Sequence, residues 1–125
     1  MDTQGWELLM SHLDNISSDG KNYPYAQSIA AFTTKENLYS AVVLNPLDAE
    51  HKEESKFINT LENAGDTEVL RILCRWHNGC LDLPSFAFRS MLIAANPLNQ
   101  NTKLLLQCAD GMCEKTISVT MPGKP

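Results

Sequence analysis

Three short stretches carry the side chains whose types and spacing could support chemistry. His51-Lys52-Glu53 sets an imidazole two residues before a carboxylate. It lies within the acidic run Glu50-His51-Lys52-Glu53-Glu54, which equally reads as the solvated first turn of a helix. Cys74-x-x-His77-x-x-Cys80 offers thiol and imidazole donors of the kind zinc takes. Against that, Cys74 ends an apolar stretch, where a free cysteine behaves as a small core residue. Cys80 with His77 would act as a nucleophile–base pair only with a third, orienting group, and no residue identifies itself as one. Cys108 and Cys113 flank a turn and could face each other.

These stretches depend on the elements that carry them. Trp6, Leu9, Met10, Leu13 and Ile16 recur at helical spacing, predicting a helix over 3–16 that ends at Ser17-Ser18-Asp19-Gly20. Residues 27–33 and 38–44 read as two strands joined by a short polar hairpin through Lys35-Glu36-Asn37, with Asn45-Pro46 as a stop. A helix is predicted over 49–64. Asp48 is its candidate N-cap, acidic residues fill its first turns, Ala49, Glu53, Phe57, Ile58 and Leu61 form its apolar face, and Gly65 sits just past its end. Residues 68–76 are mostly apolar and read as a central strand, followed by a turn at His77-Asn78-Gly79. Pro84 opens a helix over 85–95, closed by Asn96-Pro97. Residues 103–108 and 114–121 read as a final pair of strands around Asp110-Gly111.

The order is therefore α-β-β-α-β-α-β-β. It predicts one α/β domain over 1–125, with a mixed five-stranded sheet flanked by helices, an N-terminal helix and linker over 1–22, and a tail over 122–125. A chain of 125 residues with 43% hydrophobic and 20% charged residues suits one such domain. A net charge of −5 argues against a broad phosphate-binding face, so no nucleic-acid partner is expected. No apolar run approaches the roughly 20 residues of a membrane helix, and the N-terminus lacks a basic stretch followed by an apolar one. A cytoplasmic protein is the expectation, with all four cysteines as thiols.

With the elements in place, the chain resembles the cytidine deaminase superfamily. Tyr23-Pro24-Tyr25-Ala26 followed by Ile29-Ala30-Ala31-Phe32 is similar to that family's opening stretch. Leu38-Tyr39-Ser40-Ala41 and Asn45 are similar to its second strand, which ends in an asparagine near the substrate sugar. His51-Lys52-Glu53 matches its H-x-E, and Leu83-Pro84-Ser85-Phe86-Ala87-Phe88-Arg89 falls where the family has P-C-x-x-C-R. The likeness spans roughly residues 23–121.

The resemblance implies a metal-ligand position at His51 and a proton-shuttling carboxylate at Glu53. It implies a substrate contact at Asn45, with Phe32 and Trp76 as further candidates on neighbouring strand ends, where aromatics are otherwise ordinary core. The family's two zinc thiolates fall on Ser85 and Phe88. Serine is a poor zinc ligand at neutral pH and phenylalanine is none, so a degenerate site without a cofactor is expected. The alternatives left open are a shifted zinc site using His51 with Cys80 or His77, hence an active deaminase of a nucleoside or related amino-heterocycle, and an interaction module without that chemistry. A small-molecule ligand and, from the family's habit, a homo-oligomer are the expected partners.

Overall fold

The computed structural model describes residues 4–16, 26–45 and 50–122. Tyr23-Pro24-Tyr25, the Asp48 cap and the residues after Pro122 lie outside them.

Helix α1 spans Gln4–Ile16. Its Trp6, Leu9 and Leu13 fall on one stripe because three- and four-residue steps return to the same helix face, and all three are buried. Strands β1 (Gln27–Thr33) and β2 (Leu38–Val43) form the expected antiparallel hairpin. Glu36 takes φ 63° at its turn, where the amide of Glu36 donates to Thr33 O at 2.9 Å. Helix α2 (Lys52–Asn63) leads to β3 (Val69–Trp76), and α3 (Phe86–Ala95) leads through a 3-10 turn at Pro97–Asn101 to β4 (Lys103–Cys108). Strand β5 (Gly111–Thr116) and a last turn of helix, α4 (Ile117–Thr120), complete the described chain.

The sheet runs β2-β1-β3-β4-β5. β1 is antiparallel to both its neighbours, β3 and β4 are parallel, and β5 returns antiparallel to β4. The predicted α/β class, five strands and their order are all present. Strand residues alternate between two faces, and each face has its own core. Trp6, Leu9 and Leu13 of α1 pack on Ala30, Leu73 and Leu105. On the other face Phe57, Ile58 and Leu61 of α2, with Phe88 and Leu92 of α3, cover Ile29, Ile72 and Leu104. Asn99 is fully buried between the layers, donating to Thr67 O and Leu92 O while its Oδ1 accepts from the Val69 amide.

Three expectations are corrected. Residues 114–121 do not form one strand. β5 ends at Thr116, and Ile117 turns into the core, its amide donating to Thr102 O at 2.9 Å. The run 117–120, in which Ile117, Val119 and Thr120 are β-branched, is helical where Arg89 reaches both the backbone and the side chain of Thr120, a tertiary contact that outweighs local propensity. Helix α2 starts at Lys52 rather than 49, since His51 sits at φ 48°, ψ 42° and cannot be helical. Cys108 and Cys113, expected as thiols, are joined as a disulfide. The hairpin brings their Cα atoms to 5.9 Å, inside the bridging range.

Candidate functional site

The two helix starts on the same face of the sheet meet. His51 precedes α2 with a left-handed backbone, a conformation uncommon outside glycine, though histidine is among the residues enriched there. One helical turn on, Glu54 is 1% exposed. Its Oε1 lies 2.7 Å from His51 Nδ1. A carboxylate only accepts, so Nδ1 carries the proton in this contact, and Nε2 is the ring atom left to meet a ligand.

Ser85 is the N-cap of α3. Its Oγ accepts from the Phe88 amide at 3.0 Å, satisfying one of the donors exposed at a helix start. The same hydroxyl donates to Glu54 Oε2 at 2.6 Å. The Glu54 carboxylate thus bridges the starts of α2 and α3, one oxygen to each. Phe88, the next inward residue of α3, is fully buried and meets Phe57 edge-on, with centroids 5.5 Å apart and planes at 64°.

Arg89 supports this corner from behind. Its Nε donates to Pro84 O at 3.1 Å, and its Nη1 donates to Thr120 O and Thr120 Oγ1, each at 2.9 Å. Burial lowers its pKa, and the charge of Asp82 opposes that shift. Cys74 lies in the sheet beneath the same helices. Burial, then the charges of Asp82 and Glu54, push its thiol well above the usual cysteine range, so it remains protonated at neutral pH. Gln27 occupies the inward-facing position of β1 two residues before Ile29 and pairs in register with Trp76. Its Nε2 donates to Leu83 O at 3.3 Å, while its buried Oε1 accepts from no described residue.

The residues singled out from the sequence are only partly gathered here. His51, Ser85 and Phe88 converge. Glu53 does not face His51: it lines a groove of about 300 Å3 with Tyr39, Ala41, Lys56 and Phe57, between α2 and the edge strand β2. The carboxylate at His51 and Ser85 belongs to Glu54, which the H-x-E spacing passes over. Spacing alone could have found it, because Glu54, Phe57, Ile58 and Leu61 follow the 0-3-4-7 rhythm of a buried helix face. Gln27 also escapes the motif reading, although a glutamine in phase with Ile29 and Ala31 is a polar residue on an inward strand face.

Asn45 follows β2 at the sheet end that also carries Gln27 and Trp76, and it is exposed. The Trp76 indole N–H donates to Asp82 at 2.8 Å. Phe32 packs on the opposite face, with the α1 cluster. His77 and Cys80 sit on an exposed turn closed by the Trp76 amide donating to Cys80 O. Among the described residues no three His, Cys, Asp or Glu side chains gather in a way that could hold a metal ion.

No family model and no curated protein matches the sequence. Solved structures do. Cytidine deaminase from Mycobacterium leprae superposes with a TM-score of 0.58 at 16% identity, over 88% of this chain and 97% of that one. Cytidine deaminase from Mycobacterium tuberculosis and a glutamate-to-glutamine mutant of it each give 0.55 at 14% identity, over 86% of this chain and 93% of theirs. At such identity the likeness is one of fold: this chain has the cytidine deaminase fold. No described helix is long and apolar enough to cross a membrane.

Proposed function

We propose that this is a cytidine deaminase-fold protein whose zinc position has been given over to hydrogen bonding and packing, and that it works by binding rather than by hydrolysis. The observation that carries this reading is the occupancy of Ser85. Its hydroxyl accepts from Phe88 N and donates to Glu54, so both of its roles are used inside the protein. Zinc in a catalytic site needs about three protein ligands. Of the positions the resemblance points to, His51 alone offers a good donor, and Phe88 puts a buried ring where the second thiolate would stand. The donor set does not fit the metal.

In this reading His51 Nε2, with Asn45 and Trp76 at the same end of the sheet, contacts a small molecule or a partner, while Glu54 positions the His51 ring. Metal analysis of the purified chain tests it. The expectation is far less than one zinc per chain after dialysis against excess zinc, and a stoichiometric ion would overturn it.

One observation favours a second reading, an active deaminase with a rearranged ligand set. A metal-ligating histidine usually gives its other ring N–H to a carboxylate, which is how His51 and Glu54 stand. Under that reading, hydrolysis of a cytosine-type amino-heterocycle is measurable and is lost in Glu54→Gln. If Glu54→Gln leaves every measurable rate unchanged, the second reading fails.

A further inference from the structure

We propose that Cys108 and Cys113 form a reversible thiol–disulfide site, a dithiol that exchanges with small-molecule disulfides. The placement comes from the β4–β5 register. Cys108 pairs with Gly111 and Cys113 with Leu106, so the two cysteines are diagonal neighbours on the same side of the ladder, with the pair Gln107↔Met112 between their own. Gly111, at φ 115°, closes the tight turn that makes this possible. The resulting Cα separation of 5.9 Å suits a disulfide.

Three features favour exchange over a permanent structural bond. Both side chains are partly exposed, so an attacking sulfur can reach them. β5 is the outermost strand beside β4, which leaves one flank of the hairpin uncovered by the sheet. The bridge spans a sequence separation of only 5, and a short loop gains least from being closed. Meanwhile the ladder from Lys103↔Thr116 to Cys108↔Gly111 holds the hairpin without any covalent link, so the reduced thiols remain side by side. The other cysteines lack this arrangement: Cys74 is 1% exposed, and Cys80 is exposed and unbridged.

The chemistry balances in two exchanges. One thiolate attacks a small disulfide R–S–S–R, forming a mixed disulfide and expelling one R–S⁻. The second thiolate attacks the protein sulfur of that mixed disulfide, forming the internal bond and expelling the second R–S⁻. The protein dithiol loses two electrons and two protons, and R–S–S–R is reduced to two R–SH.

The test uses the full chain, fully reduced, then exposed to glutathione disulfide, quenched in acid and treated with a maleimide before peptide mapping. Cys108 and Cys113 should lose alkylation together and appear as one cross-linked peptide, with no lasting glutathione adduct on either, and dithiothreitol should restore both thiols. Cys108→Ser should instead carry a stable glutathione adduct on Cys113, showing that the neighbouring thiol resolves it in the unaltered chain. Circular dichroism of the reduced and oxidised forms should coincide. The proposal is overturned if either cysteine of the unaltered chain keeps the glutathione adduct, if both stay alkylatable in excess disulfide, or if the cross-link goes to Cys80.

Discussion

Glu54 holds the starts of two helices at once, its carboxylate 2.7 Å from His51 Nδ1 and 2.6 Å from Ser85 Oγ. Glu54→Ala would leave the Ser85 hydroxyl and the His51 ring without their acceptor in a part-buried setting. A stability loss of about 1–3 kcal/mol is expected, read as a lower urea midpoint. Glu53→Ala, removing a side chain that lines the groove beside β2, should stay within about 0.5 kcal/mol. Equal losses in the two variants would contradict this division between neighbouring carboxylates.

Phe88 is both core and, by the resemblance, a displaced ligand position. Phe88→Ala should cost about 3–5 kcal/mol through the cavity it leaves against Phe57. The double variant Ser85→Cys/Phe88→Cys adds two thiols beside His51. If the fold has merely lost its ligands, this variant should retain more zinc after dialysis than the unaltered chain, measured by elemental analysis. No rise in a folded double variant would mean that this corner no longer has the geometry of a metal site.

Acid stability should depend on Asp66. Burial raises its pKa, but hydrogen bonds from Asn37, Thr33 and Tyr39 and the charge of Lys35 outweigh burial, and the net shift is downward from 3.8. A depressed folded-state value stabilises the fold above the unfolded pKa, and that contribution fades as pH falls below about 3.8 through the folded value. Asp66→Asn should therefore be less stable at neutral pH and lose less stability on acidification, compared by urea titrations at pH 7 and pH 3. Tyr39 acts at the other end. Burial and then Asp66 raise its pKa, so its contribution is complete below the ordinary value of 10.0 and fades as pH climbs through the higher folded value.

Arg89→Leu should remove the donors to Pro84 and Thr120 while keeping much of the packing volume. Hydrogen bonds to a charged group are worth about 1.5–3 kcal/mol, so a drop of at least that size is expected in thermal unfolding. Arg89→Lys should recover little of it, because an ammonium cannot reproduce the guanidinium fork.

The architecture is legible because period and punctuation agree along most of the chain. The two strands around Lys35-Glu36-Asn37, the helix before Gly65 and the Pro84 helix start all follow from local rules. The site is less legible. Glu53 and Glu54 are adjacent, and the H-x-E spacing points to Glu53, while the rhythm shared with Phe57, Ile58 and Leu61 turns Glu54 inward. The left-handed backbone of His51, which no motif reports, sets where the helix starts. Phe32, a candidate for substrate contact, falls on the far side of the sheet, since a strand's alternation gives two faces without saying which one the site uses. The helical turn at 117–120 is invisible locally because its cause, Arg89, lies 31 residues away.

That last contact bears on how the protein can be handled. Ile117 fills the core and Thr120 supplies two of the acceptors of Arg89, whose third acceptor is the backbone carbonyl of Pro84, directly before Ser85. A shortened version ending before Ile117 would lose part of the support under the Glu54–Ser85 junction. Affinity tags, fusions and cleavage sites therefore belong beyond Met121, where they leave that support intact.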